Sequence, residues 1–506
     1  MSEVVAYTRE GNVGVISVNY PPVNALSHAV RAGLVSALEQ GQKDAEADIL
    51  LLVCEGRTFI AGADIREFGK PLQEPGLPDV INAYESSDKP IVAAIHGTAL
   101  GGGLETALGC HYRVALPSAK VGLPEVKLGL LPGAGGTQRL PRLVGAQKAL
   151  EMITSGNFVG ARDALALGIV DAVEAGDDIR QVGLAYAQKL AGEGAPVRRV
   201  RDIADKVEAD KGSDVFDQFR AGLAKKARGL FSPFKCVDAV EAAFTLPFAE
   251  GLKRERELFK ECMESPQRAG LVHSFFAERE VSKVKGLAKD TPVREVKSVG
   301  IIGAGTMGGG IAMNFANVGI PATIVEVQQE ALDRGMAVIR RNYENSARKG
   351  KLTAEQVEER MGLIKTSLSY DDFRDVDLVI EAVFENMAVK KEIFAKLDEV
   401  CKPGAILASN TSTLDIDEIA SATKRPEDVV GMHFFSPANV MKLLENVRGS
   451  KTSDEVKATV MAVAKKINKV GVMVGNCHGF VGNRMLHKRG AEAMALVNEG
   501  ASPQQV

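Results

Sequence analysis

Tryptophan is absent from this chain, and aromatic residues of all kinds make up only 5% of it. Sugars are usually bound against large aromatic faces, so a carbohydrate cleft would be unusual here. Long apolar runs are missing too. No stretch approaches the ~20 residues of a transmembrane helix, and no membrane span is expected. The opening MSEVVAYTREGNVG has neither a basic flank nor a long apolar core, so no secretory signal is read there. A positive surplus is also lacking: Lys+Arg total 62 against 65 Asp+Glu, a formal charge of -3. That balance gives no electrostatic footprint for nucleic acid or an anionic membrane, and any ligand phosphate must be met locally. The six cysteines, Cys54, Cys110, Cys236, Cys262, Cys401 and Cys477, include no CxxC pair and no metal-ligand spacing. They read as reduced packing residues, and no metal is expected.

What is present suits a soluble globular chain of several domains: 506 residues, 45% hydrophobic and 25% charged. The sharpest motif lies some three-fifths of the way along. Residues 299–308, VGIIGAGTMG, run from an apolar stretch into Gly303, Gly305 and Gly308. In a strand–turn–helix, the first glycine permits the tight turn, the second lets the backbone approach a pyrophosphate, and the third lets the helix pack closely. A helix over 307–318 would aim its N-terminus at the phosphates. The next apolar run, 322–325, ends at Glu326, where an acid can take ribose hydroxyls and repel the extra phosphate of NADP. NAD is therefore the expected cofactor.

The rest of the chain reads as α/β. Strands are expected at 13–19, 49–55, 90–97 and 113–116, with a helix at about 29–43. Residues 120–144 look loop-like and glycine-rich. From about 192 to 293 charged and apolar residues recur at helical spacing, which reads as helical packing or linker without chemistry of its own.

Two glycine-rich loops precede that stretch. TFIAGADIREF places the small residues Ala61, Gly62 and Ala63 after a strand, and ALGGGLETALG places Gly101, Gly102 and Gly103 before a helix. Both leave backbone N–H groups open to a ligand, and two amides aimed at one point form an oxyanion hole. Two acids accompany them, Glu105 beside the triple glycine and Glu125 in VGLPEVKLGLLPGAGG. Paired carboxylates add water across a double bond or cleave a glycoside, and singly each has a bland alternative: a helix N-terminal acid for Glu105, a solvated loop residue for Glu125.

FIAGADIREF, HGTALGGGLE and GLPEVKLGLLPGAGGTQRLPRLVG, in this order, resemble the enoyl-CoA hydratase/isomerase (crotonase) family. The resemblance implies a crotonase fold, a thioester oxygen held by the N–H groups of Ala61 and Gly102, Glu105 and Glu125 as the acid/base pair, and Gly133 beside the attacking water. It implies hydration of trans-2-enoyl-CoA, with 3-enoyl to 2-enoyl isomerisation as a second activity.

Beyond Glu326 come DLVIEAVFEN, ILASNTSTL and GMHFFSPANVMKLLENVRG. His433 lies between apolar residues, a position more often filled by a packed histidine than by a base. Glu445, twelve residues on, suits a carboxylate that fixes an imidazole tautomer, and Ser412 and Asn483 suit hydrogen bonds to a substrate oxygen. Spacing alone does not bring the four together. Residues 296–500 resemble the L-3-hydroxyacyl-CoA dehydrogenase family, through SNTS, GMHFFSP, MKLLENV and GFVGNR. By position, the resemblance makes His433 the base, Glu445 its orienting partner, Ser412 and Asn483 substrate ligands, and Glu385 and Lys390 contacts on the nicotinamide ribose side.

Together the two resemblances imply a multifunctional β-oxidation enzyme, in which the 3-hydroxyacyl-CoA made at one site is oxidised at the other. The expected organisation is a crotonase-like domain at 1–190, a helical linker at 191–293, a Rossmann NAD domain at 294–476, and the start of an all-α dehydrogenase domain at 477–506. The family's chain continues past GFVGNR as helical domains that cover the dehydrogenase cleft, whereas this sequence ends at Val506, so an efficient hydratase with a weak dehydrogenase half is expected. Two alternatives stay open: hydratase/isomerase activity alone, or a non-catalytic CoA- or NAD-binding protein. Acyl-CoA is the expected partner; a thiolase partner and self-association are compatible with the sequence and not fixed by it. The final SPQQV is no peroxisomal tripeptide, and a cytoplasmic location is expected.

Overall fold

Runs such as ILLLVC and IVAAI have no polar face, and strands of that kind are stable only when covered on both sides, as in a parallel sheet. In the computed structural model, which describes residues 4–67, 71 and 73–506, every residue of both runs is buried. The chain divides into two units, Met1–Phe275 and Phe276–Val506. Phe68, the last residue of the FIAGADIREF segment, lies outside the described residues.

The first unit contains β1 (Val5–Glu10), β2 (Val13–Val18), β3 (Ile49–Cys54), β4 (Ile91–Ile95), β5 (Thr98–Leu100), β6 (Tyr112–Ala115), β7 (Lys120–Gly122), β8 (Val159–Gly160) and β9 (Ala172–Val173). The main sheet runs β1-β2-β3-β4-β6-β9, antiparallel at β1–β2 and parallel from β2 onward. β5, β7 and β8 form a smaller sheet. The sequence pattern gives no strand before residue 13. β1 forms nonetheless because VAYTRE pairs in register with β2, Val5 opposite Val18, around Gly11, whose φ of +62° suits the hairpin turn. Residues 120–144 are also more ordered than expected, since β7 and a helix, Gly136–Val144, lie within them. Glycines and Pro141 hide that helix from a propensity reading.

The helical stretch expected as linker divides. Helices Val215–Lys226, Ser232–Thr245 and Phe248–Glu264 contribute Phe216, Val237, Val240, Phe244 and Leu258 to the same buried cluster as Leu52, Ile95 and Leu140. Residues as far as Met263 therefore pack into the first unit's core, and that unit extends to Phe275.

The second unit contains β10 (Val299–Ile302), β11 (Ala322–Val325), β12 (Ile364–Ser367), β13 (Leu378–Glu381), β14 (Ile406–Ser409), β15 (Val429–Phe434), β16 (Leu443–Arg448) and β17 (Val470–Gly475). Its sheet order is β12-β11-β10-β13-β14-β15-β16-β17. The first six strands are parallel, in the doubly wound dinucleotide-binding order, and the crevice lies where that order reverses, between β10 and β13. β16 is antiparallel to β15. The unit's last helix, Gly482–Asn498, buries none of its residues. Among the described residues, no helix is long and apolar enough to cross a membrane.

Candidate active sites

Helix Gly102–Gly109 begins at Gly101, whose φ of +53° and ψ of -127° turn the chain sharply. A Cβ on Gly103 would lie 2.1 Å from the Ile60 carbonyl oxygen, so only glycine lets this helix approach the 60–63 loop. The helix's first-turn amides are thereby presented beside that loop. A Cβ placed on Gly102 would lie 3.5 Å from the Ala63 nitrogen. Ala61, by contrast, donates its N–H to the Val23 carbonyl at 3.2 Å. The expected amide pair of Ala61 and Gly102 is corrected accordingly: Ala61 is engaged elsewhere, and Ala63 neighbours Gly102.

Glu105 is buried one turn into the same helix. Its Oε1 accepts from the amides of Ala134 (2.8 Å) and Gly136 (2.9 Å). Burial pushes its carboxyl above the ordinary range, and those amides and the Arg139 charge pull it partly back. Glu125 starts a 3-10 turn, Glu125–Leu128, after β7. The residue is partly exposed, but its carboxyl end is enclosed: Oε2 is buried without a hydrogen-bond partner, and Oε1 would lie 2.8 Å from a Cβ on Gly101. Burial, then the Glu105 charge, then Glu255 raise the Glu125 carboxyl well above the usual range. Gly133 directly precedes the amides that hold Glu105, and a Cβ there would lie 2.4 Å from the Phe259 ring. Two acids with opposed surroundings, one held by two backbone amides and one with an unpartnered buried oxygen, are what an acid/base pair requires.

In the second unit Gly303 has φ +102°, and a Cβ on Gly308 would lie 1.9 Å from the Gly303 carbonyl oxygen. Gly305 caps helix Thr306–Ala316, and a Cβ there would meet nothing within 4 Å. The loop is thus closed on its protein side and open where a pyrophosphate would approach. A cavity of about 340 Å³ adjoins it, lined among others by Ala304, Gly305, Thr306, Glu326 and Arg334. Glu326 follows β11, and its Oε2 accepts from the Ala304 amide at 3.2 Å. These residues fit the phosphates and adenine ribose of NAD.

His433 on β15 and Glu445 on β16 are direct register partners across the antiparallel pair, and both are buried. His433 Nδ1 lies 2.8 Å from Glu445 Oε2. Glu445 Oε1 accepts from the amides of Val481 (3.2 Å) and Gly482 (2.8 Å), which fixes the start of the helix carrying Asn483. Burial acts to raise the Glu445 carboxyl, but the His433 bond and charge and those two amides outweigh it and hold it below the ordinary range. Asn483 Nδ2 donates to the Ser412 carbonyl at 3.4 Å, so the four residues read from the sequence do converge. Phe435 and Phe480 flank the His433 ring, with centroids at 4.5 and 5.7 Å. Glu385 Oε1 accepts from Thr411 Oγ1 (2.6 Å) and from the Ser412 (2.8 Å) and Thr413 (3.0 Å) amides, so it supports the loop bearing Ser412. Lys390 is only 1% exposed, and its ammonium sits on Glu381 at 2.7 and 2.9 Å. In place of an exposed ribose contact, Lys390 is an internal cation, 3.6 Å from Glu385 Oε2.

Among the described residues, no cluster of His, Cys, Asp or Glu suits a metal ion. The sequence pattern of the enoyl-CoA hydratase/isomerase family matches residues 8–219, and that of the 3-hydroxyacyl-CoA dehydrogenase NAD-binding domain matches residues 298–477. The peroxisomal bifunctional enzyme of Danio rerio is 47% identical over 500 residues, covering 98% of this chain and 68% of that protein. The peroxisomal bifunctional enzyme of Homo sapiens is 42% identical over 509 residues, 99% of this chain and 69% of that one. The peroxisomal fatty acid beta-oxidation multifunctional protein MFP2 of Arabidopsis thaliana is 40% identical over 504 residues, 97% and 69% respectively.

The chain belongs to the multifunctional fatty-acid β-oxidation enzyme family. It combines an enoyl-CoA hydratase/isomerase domain with an NAD-dependent 3-hydroxyacyl-CoA dehydrogenase domain, and handles acyl-CoA. Three further residues lie beside the groups of these sites: Ala63, Glu381 and Glu255. Ala63 stands two residues after Ala61 in the same motif. Glu381 ends β13 and takes the Lys390 ammonium. On the helix of Glu255 the buried positions are Gly251, Glu255, Leu258 and Cys262, so a charged residue occupies an otherwise apolar stripe.

Proposed function

We propose that Glu105 and Glu125 carry the hydratase step with opposite roles, and that His433 and Glu445 carry the dehydrogenase step. The single observation behind the first assignment is the contrast between the two carboxyls: Glu105 accepts two amides, whereas Glu125 Oε2 has no partner. Glu105 is the base and takes a proton from water as the water oxygen attacks C3 of the enoyl thioester. The electron pair moves toward the thioester oxygen, which the amides of Ala63 and Gly102 stabilise. Glu125, kept protonated by its surroundings, delivers its proton to C2. Isomerisation of a 3-enoyl thioester uses the same groups, with a proton removed from C2 and returned at C4. The test is to exchange each carboxyl for its amide, Glu105→Gln and Glu125→Gln, and follow loss of the enoyl absorbance of crotonyl-CoA. Both rates should fall, and an unaffected rate in either variant removes that residue from the pair.

At the second site, bound NAD supplies the hydride acceptor. His433 takes the hydroxyl proton of the 3-hydroxyacyl thioester, Glu445 holds the ring by Nδ1 and stabilises its cation, and Ser412 and Asn483 bind the substrate oxygen. Gly303, Gly305 and Gly308 shape the phosphate loop, Glu326 takes the adenine ribose hydroxyls, and Glu385, anchored by Lys390, supports the nicotinamide side. Glu326→Ala should weaken NAD and narrow its advantage over NADP. Isothermal titration with both nucleotides measures this, and unaltered NAD affinity refutes the assignment.

The relatives are named peroxisomal, which favours a peroxisome-type compartment over the cytoplasmic location expected from the sequence. For the domains, the shared core supports extending the hydratase domain from 190 to about Phe275.

A further inference from the structure

We propose that Glu255, on helix Phe248–Glu264, is a positioning residue of the hydratase site that holds the 133–137 loop in the geometry Glu105 needs. The proposal rests on the reading of Glu105 and Glu125 as the acid/base pair. Glu255 lies beyond the segment that matches the hydratase family, residues 8–219.

The loop's successive amides point to two carboxylates in turn. Ala134 donates to Glu105 Oε1 at 2.8 Å, Gly135 to Glu255 Oε1 at 2.7 Å, Gly136 to Glu105 Oε1 at 2.9 Å, and Thr137 to Glu255 Oε2 at 3.0 Å. Thr137 Oγ1 adds a second bond to Glu255 Oε2 at 2.5 Å. These are the amides at the start of helix Gly136–Val144, which have no intrahelical acceptor and favour a negative charge. Because Glu105 and Glu255 share alternate amides of one strand of backbone, the loop cannot rotate toward one without leaving the other. Glu105 is oriented by this loop, through bonds that both fall on Oε1.

The helix that brings Glu255 is seated with little freedom. A Cβ on Gly251 would lie 2.2 Å from Gln138 Oε1, and Phe259 stands 2.4 Å from the Cβ position of Gly133. Gln138 Nε2 in turn donates to Thr137 Oγ1 (2.9 Å) and to the Ala239 carbonyl (2.8 Å). Glu255 is 1% exposed and faces another buried carboxyl. Burial and the Glu105 charge together push its own carboxyl up to about 8. A neutral side chain could cap a helix without that cost. Where Glu255 ionises, its charge also helps to raise Glu125.

The experiment uses the full chain with Glu255→Ala, Glu255→Gln and, as reference, Glu125→Gln. Hydration kcat and KM are measured with crotonyl-CoA, and oxidation of L-3-hydroxybutyryl-CoA reports on the second site of the same molecules. Glu255→Ala should lower hydration kcat about 10–100-fold, the cost of a small misplacement of a catalytic group. KM should stay within about threefold, and oxidation within about twofold, if only the loop is released. Glu255→Gln keeps an acceptor for one amide and turns its NH₂ group toward a donor, so its kcat should fall between wild type and Glu255→Ala. Should Glu255→Ala fail to fold, Glu255→Gln decides by the same criterion. Wild-type kcat in a folded Glu255→Gln, or a fall in which KM rises in proportion and kcat is kept, overturns the proposal. If Glu125→Gln hydrates at the wild-type rate, the acid/base reading has failed and the role of Glu255 falls with it; if only the Glu255 variants are unaffected, the inference alone is wrong.

Discussion

Hydration of crotonyl-CoA should fall by about 10²–10⁴-fold in Glu125→Gln, the usual worth of a positioned acid or base, while NAD affinity is unchanged. The expectation follows from the enclosure of Glu125: its Oε2 is buried without a partner, and burial together with the charges of Glu105 and Glu255 holds the proton on. Glutamine keeps the volume and removes the acid. The same environment fixes the direction of the pH dependence. On the proposed roles hydration needs Glu105 ionised and Glu125 protonated, and both carboxyls are raised, Glu125 the more strongly. The rate should therefore rise as pH climbs through the lower apparent pKa of the pair and fall as it passes the upper one. The whole bell should be displaced upward from the range of free carboxylates. A pH profile of kcat/KM for hydration measures both limbs. A rate that keeps climbing through alkaline pH, or a Glu125→Gln variant within a few-fold of wild type, would remove Glu125 from the chemistry.

The second large effect belongs to the other unit. His433→Gln should lower NADH formation from L-3-hydroxybutyryl-CoA by about 10²–10⁴-fold and leave hydration untouched. His433 Nδ1 is committed to Glu445 at 2.8 Å, which leaves Nε2 as the atom for the substrate hydroxyl. Glutamine can hydrogen-bond to that hydroxyl but cannot take its proton. Steady-state NADH absorbance with saturating NAD gives the result. Oxidation within a few-fold of wild type would make His433 a packing residue between Phe435 and Phe480.

Much of this was legible in the sequence because the chemistry is carried by local motifs. Strand–glycine–helix patterns fixed β10, the turn at Gly303 and Glu326 at the end of β11. Glu105 and Glu125 followed from the loops that hold them. What was not legible depends on contacts between distant segments. Ala61 and Ala63 lie in one motif, and only the bond from Ala61 to the Val23 carbonyl tells them apart. Lys390 reads as a contact on the nicotinamide ribose side, and only its bond to Glu381, nine residues away on a strand, shows it as a buried internal cation. β1 has weak strand character of its own and is ordered by β2. The helices after residue 190 have the charge and spacing of a solvated linker, and their role appears only when Phe216, Val240 and Leu258 are found in the hydratase core.

The central claim is that one polypeptide carries two separate sites acting in sequence, and a coupled assay tests it most directly. Purified chain is given crotonyl-CoA, first alone and then with NAD, with enoyl and NADH absorbance followed together. The account predicts loss of enoyl absorbance without NAD and NADH formation once NAD is added. In Glu125→Gln, NADH formation from crotonyl-CoA should disappear while that from L-3-hydroxybutyryl-CoA persists. In His433→Gln, hydration should persist and NADH should form from neither substrate. Failure of the wild-type chain to reduce NAD with L-3-hydroxybutyryl-CoA, or loss of both activities on changing either residue, would contradict the account.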